Sequence, residues 1–127
     1  MDNLIVFFPG KFQPLHLGHI LTIAKLRKEY TTVIVGITSD TIEIYSKEEI
    51  RDMLKTIFPN IEVVDIPFKL TRLDDIKKLP YFNILITAEN DEVIKWASEH
   101  KINCKSISRS SCIGCSGTEL RKLWNIN

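Results

Sequence analysis

Hydrophobic residues along this chain fall into short unbroken runs, separated by segments in which they recur every three or four positions. The runs are Leu4 to Phe8, Thr32 to Ile37, Ile61 to Ile66, Ile84 to Thr87 and Cys104 to Ile107. Each has the length and composition of a strand covered on both faces. Between them, Gly18 to Tyr30 gathers Ile20, Ile23, Ala24 and Leu26 on one helical face. Ile50 to Phe58 does the same with Met53, Leu54 and Ile57, and Glu89 to His100 turns Val93, Ile94 and Ala97 inward. Ser46 and Glu49 form a capping-box pattern ahead of the second helix, and Pro59 lies just past its end. Ser116 and Glu119 repeat that pattern ahead of a fourth helix, which runs through Trp124.

Strands alternating with helices imply right-handed crossovers. The predicted fold class is therefore α/β: a doubly wound, mainly parallel five-stranded sheet with helices on both faces. Ligands of such sheets bind at the carboxyl ends of the strands, near the point where strand order reverses. No repeat, linker or low-complexity segment interrupts the pattern, so residues 1–127 are expected to form a single domain.

Bulk properties narrow the function classes. Among the 127 residues, 44% are hydrophobic and 26% charged, which suits one globular core and excludes a disordered chain. A formal net charge of +1 gives no electrostatic footprint for a nucleic-acid backbone. The apolar run after Met1-Asp2-Asn3 lacks the basic lead and cleavage site of a signal peptide, and no run approaches the ~20 residues that span a bilayer. Three cysteines fit a reducing compartment better than a disulfide framework. The expectation is a cytoplasmic protein with neither nucleic-acid nor membrane partners.

The stretch "GKFQPLHLGHI", Gly10 to Ile20, joins the first strand to the first helix and so lies at the ligand edge of the sheet. Gly10 permits a tight turn, and Pro14 stiffens the loop. A helix starting near Leu17 or Gly18 directs its unsatisfied N–H groups and positive dipole end toward whatever lies over the loop. Lys11 adds a positive charge, while His16 and His19 can each donate a hydrogen bond to a phosphoryl oxygen. The competing reading is that His19 caps or packs while His16 is solvated. Zinc is disfavoured, since no Glu follows His16 and no third ligand is close in sequence.

The pattern G-x-F-x-P-x-H-x-G-H, complete as Gly10, Phe12, Pro14, His16, Gly18 and His19, resembles the signature of the nucleotidyltransferases with an HxGH motif. "SGTELRK", Ser116 to Lys122, resembles their downstream phosphate-binding motif in the form found in archaeal-type nicotinamide mononucleotide adenylyltransferases. Lys11 and Gln13 stand where cytidylyltransferases usually have Thr and Asp, which favours the adenylyl branch. Alone, "SGTE" is an ordinary capping box, but the same N–H groups can bind phosphate and Arg121 lies one turn along. Arg51, in "YSKEEIRDML", resembles the Arg of the family's "ER" element, interrupted here by Ile50. Asn90, in "ITAEND", resembles the Asn of the family's "GN", with Glu89 in place of the Gly.

The resemblance implies a Rossmann-like nucleotidyltransferase fold and transfer of AMP from ATP to a small phosphorylated acceptor with release of pyrophosphate. His16, His19 and Lys11 would act on the transferring phosphate. Gly10, Phe12, Gln13, Gly18, Ser116, Gly117, Thr118 and Arg121 would bind nucleotide and phosphates. Arg51 and Asn90 would stand in a supporting place. Magnesium is the implied cofactor, arriving with ATP, and no protein ligand is assigned to it. Nicotinamide mononucleotide leads as acceptor, although "DIPFKLTRLDD" has no Trp where the family stacks one on the nicotinamide. Cytidylyl transfer, a pantetheine-phosphate or flavin-nucleotide acceptor, and a non-catalytic nucleotide sensor stay open, as does a homo-oligomer. "CIGC" places Cys112 and Cys115 ahead of the second motif, where thiolate metal binding or redox pairing are further readings.

Overall fold

The computed structural model describes residues 2–12, 15–38, 44–66, 79–88 and 90–107. Five strands and three helices occur among them: β1 (Asp2–Gly10), α1 (Leu17–Glu29), β2 (Tyr30–Thr38), α2 (Lys47–Ile57), β3 (Glu62–Ile66), β4 (Ile84–Ala88), α3 (Asp91–Glu99) and β5 (Cys104–Ile107). The strands form one sheet in the order β3-β2-β1-β4-β5, and every pairing is parallel. All five predicted strands are present. The fourth predicted helix lies outside the described residues.

Strand order explains where a ligand can sit. From β1 the chain moves outward through β2 to β3, then returns to place β4 on the other side of β1. Connections leaving β1 and β4 therefore depart in opposite directions and open a crevice at the carboxyl ends of these two strands. "GKFQPLHLGHI" begins at that end of β1.

Alternate side chains within each strand feed two cores. Val6 and Phe8 of β1, Val33, Val35 and Ile37 of β2, and Ile86 of β4 pack with Ile23 and Leu26 of α1 and with Ile50 and Leu54 of α2. Phe7, Ile34, Ile66 and Leu85 point the other way and pack with Trp96 and Ala97 of α3. The central strands β2, β1 and β4 are buried on both faces, which is why their runs read as continuous apolar sequence. The edge strands β3 and β5 keep exposed positions such as Glu62, Asp65, Lys105 and Ser106, because only one neighbour covers them. Gly36 makes room for this packing. A Cβ there would lie 2.5 Å from Cζ of Phe7, whose ring stacks on Phe82 at 5.2 Å.

Helix ends follow local chemistry. Ser46 and Glu49 exchange the reciprocal hydrogen bonds of a capping box, each 3.1 Å, so α2 starts at Lys47 and not at Ile50. Ile50 and Leu54 form its buried face, whereas Ile57 is 41% exposed in the final turn. In α3 the inward face also differs from expectation. Trp96 and Ala97 are buried and Ile94 is 37% exposed, because a helix advances about 100° per residue and the larger indole takes the core-facing place. The helix closes in a Schellman motif, with Ile102 N–H donating to Ala97 O at 2.8 Å and Lys101 N–H to Ser98 O at 3.2 Å. Lys101 consequently takes a left-handed backbone, φ 57, where glycine is usual.

Candidate active site at the first turn

The two histidines begin α1. His16 is the N-cap, with extended backbone, and its Nδ1 accepts from the Gly18 N–H at 3.1 Å. His19 occupies the third helical position, and its Nδ1 accepts from the His16 N–H at 3.2 Å. These reciprocal bonds make a capping box built from imidazoles, which accounts for the three-residue spacing. The capping and chemical readings of H-x-x-H are thus compatible.

A backbone N–H only donates, so both Nδ1 atoms serve as acceptors. In a neutral imidazole the proton then resides on Nε2, which becomes a donor in each ring. The rings stack 3.7 Å apart at 22°. The helix behind them has no acidic residue in its first turn, unlike α2 with Glu48 and Glu49 or α3 with Asp91 and Glu92. Its positive dipole end therefore retains its attraction for an anion.

Two residues ahead of the cap shape the floor of the turn. Gly10 ends β1, and a Cβ there would fall 2.9 Å from Cζ of Phe12. Phe12 is only 2% exposed, with its ring edge-on to Phe8 at 6.0 Å and to His19 at 4.8 Å. Burial directs its contribution to packing under the site rather than to a ligand's surface. Lys11 is exposed between them, and Gly18 is buried at the helix start.

The remaining expected residues are more dispersed. Asn90 caps α3 at the carboxyl end of β4, accepting from the N–H groups of Glu92 and Val93 at 3.1 and 3.3 Å. This places it across the β1/β4 crevice from the histidines, with its side-chain oxygen committed to the helix. Arg51, in α2, pairs with Asp65 of β3, Nη2 to Oδ1 at 3.0 Å, with the two side chains 36% and 46% exposed. Lys47 donates to Ile66 O at 2.9 Å, so the start of α2 is fastened to the carboxyl end of β3 by two side chains. The sequence reading missed both partners, since neither Asp65 nor the Ile66 carbonyl is near these cations in the chain. Gln13, Ser116, Gly117, Thr118 and Arg121 lie outside the described residues, as do Cys112 and Cys115.

Among the described residues no group of three His, Cys, Asp or Glu side chains is placed to hold a metal ion. Cys104 is half-buried, and burial pushes its thiol above the ordinary range, so it stays protonated and weakly nucleophilic at neutral pH. An open cleft of about 580 Å³ lies between Leu79–Asn83 and His100–Asn103. Those segments precede β4 and β5, so the cleft is at the amino edge of the sheet, away from the helix dipole and the histidines. No helix among the described residues is long and apolar enough to cross a membrane.

Known proteins resemble this chain in sequence and in fold. The chain is 29% identical over 129 residues to the nicotinamide-nucleotide adenylyltransferase of Methanococcus maripaludis (strain C6 / ATCC BAA-1332), covering 91% of this chain and 75% of that one. It is 31% identical over 68 residues to the phosphopantetheine adenylyltransferase of Rhodopirellula baltica (strain DSM 10527 / NCIMB 13988 / SH1), covering 50% of this chain and 38% of that one. In fold it resembles a bifunctional NMN adenylyltransferase/ADP ribose pyrophosphatase from Francisella tularensis, solved with AMP and a manganese ion. That likeness has a TM-score of 0.59 at 20% identity and covers 84% of this chain and 37% of the other. The cytidylyltransferase-like family profile matches residues 7–123. With its HxGH histidines capping the first helix of a parallel sheet, this chain belongs to the cytidylyltransferase-like family of nucleotidyltransferases.

Proposed function

We propose that this protein transfers AMP from ATP to a small phosphorylated acceptor, nicotinamide mononucleotide first among them, and releases pyrophosphate. The observation that carries the reading is the imidazole capping box, because it commits both Nδ1 atoms to the backbone and makes both Nε2–H groups donors. In this reaction an acceptor phosphate oxygen attacks the α-phosphorus in line as the bond to the β,γ-pyrophosphate breaks. No protein nucleophile is needed. The requirement is positioning and stabilisation of negative charge.

The chain's residues divide that work. Stacked at 3.7 Å, the His16 and His19 rings can each give a hydrogen bond to one phosphoryl group, and the α1 dipole reinforces them. Lys11 adds an ammonium from the loop. Ser116, Thr118 and Arg121 are assigned to the leaving pyrophosphate from sequence alone. Magnesium would travel on the triphosphate: imidazole N–H groups and an ammonium complement phosphate oxygen, not a hard cation, so the ion when bound offsets charge on the nucleotide.

Adenylyl transfer is supported by Lys11 and Gln13 in the first motif and by the adenylyltransferase names of both relatives. The second of those relatives supports phosphopantetheine as the competing acceptor. Pyrophosphate release with ATP or CTP against a panel of nicotinamide mononucleotide, 4′-phosphopantetheine, flavin mononucleotide and glycerol 3-phosphate tests the proposal. ATP with nicotinamide mononucleotide should give stoichiometric pyrophosphate and the dinucleotide. Release with another pair would reassign the substrate, and nucleotide binding with no release from any pair would make the chain a sensor.

A further inference from the structure

Phe12 combines a buried ring with an uncommon backbone conformation. Its backbone is left-handed, φ 54, a region in which every side chain but glycine's crowds its own backbone. A turn that needed only this φ would be served by Gly or Asn. The left-handed backbone instead folds an aromatic ring back over Gly10, where it fills the space of a Cβ, and sets it perpendicular to His19, 84° at 4.8 Å. Strain of this kind survives only where the surroundings hold it in place.

His19 needs such a neighbour. Its Nδ1 bond to the His16 N–H fixes one atom, and the orientation of the ring plane about that contact is set by what packs against the ring. Stacking on His16 bounds the tilt on one side, and the perpendicular Phe12 ring bounds it further. Phe8 backs Phe12 in turn, tying the restraint to β1.

We infer that Phe12 is a positioning residue for His19: its left-handed backbone is retained to hold the imidazole with Nδ1 on the His16 N–H and Nε2–H directed at the transferring phosphate. Gly10 is glycine, on the same inference, because the Phe12 ring occupies its Cβ space. The catalytic consequence rests on the nucleotidyl-transfer reading, whereas the geometric half stands apart from it.

A double-mutant cycle of Gly10→Ala and Phe12→Leu tests both halves, with urea unfolding used to confirm that each protein is folded. In substrate-free protein, long-range 15N–1H spectra of His19 should change from one Nε2–H tautomer to a mixture in Phe12→Leu. In turnover, kcat should fall about 10- to 100-fold, the scale of a small misplacement, while KM for ATP changes less than about threefold. Gly10→Ala should cost a similar factor in the wild-type background and little in the Phe12→Leu background, where the shorter side chain no longer occupies the Cβ space. An unchanged tautomer in Phe12→Leu overturns the inference. So does an equal cost of Gly10→Ala in both backgrounds, which would assign Gly10 to close approach of a ligand. Should no acceptor support turnover, the spectra still decide the geometric half while the functional reading fails separately.

Discussion

Replacing His19 with alanine removes the acceptor for the His16 N–H and the Nε2–H donor together, and a second substitution separates the two. The lost bond is 3.2 Å long and half-buried, which puts its contribution at the lower end of the capping range, about 0.5–1 kcal/mol. Loss of the perpendicular contact with Phe12 adds about 0.5–1.5 kcal/mol. His19→Ala should therefore destabilise the fold by about 1–2.5 kcal/mol, well within the ~5–15 kcal/mol that holds a domain together, and remain folded. Removing a donor to the developing charge should lower kcat by about two orders of magnitude or more. In His19→Asn the side-chain oxygen can stand near the place of Nδ1 and restore the cap, yet nothing replaces Nε2–H. Urea unfolding should then show most of the cap's contribution recovered, while pyrophosphate release stays as low as in His19→Ala. Near-wild-type activity in His19→Asn, or in a folded His19→Ala, would refute the role given to Nε2.

Two further substitutions probe the scaffold. Gly36→Ala should destabilise by about 1–3 kcal/mol, because its Cβ would press on Phe7 at 2.5 Å and Phe82 blocks the ring's retreat; chemical denaturation measures this, and an unchanged midpoint would show that the Phe7 ring can move. Lys101→Gly relieves a left-handed residue at the end of α3 and should stabilise by about 0.5–1 kcal/mol, read as a rise of a few degrees in thermal midpoint.

Much of the architecture was legible along the chain. Continuous apolar runs announced the strands, covered on both faces in β2, β1 and β4 but not in the edge strands β3 and β5. The Ser46/Glu49 pair announced a capped helix that the structure places where the pattern said. Spacing marked His16 and His19 as a unit at a strand-to-helix turn. It did not show that the same spacing is a capping box, since imidazoles are uncommon partners in that motif. Nor did it reveal Phe12's left-handed turn, which depends on the room left by Gly10 and the contacts of Phe8 and His19.

By itself the sequence determined which segments become strands and helices, because those preferences are set by residues within a few positions of one another. It also determined the chemical inventory of the first turn, since that turn joins adjacent elements. Tertiary structure alone decided that β4 returns to the side of β1, that Trp96 and not Ile94 fills the second core, and that Arg51 meets Asp65. Each of these depends on packing or charge between segments distant along the chain. Their free energies are settled only when the layers close on one another.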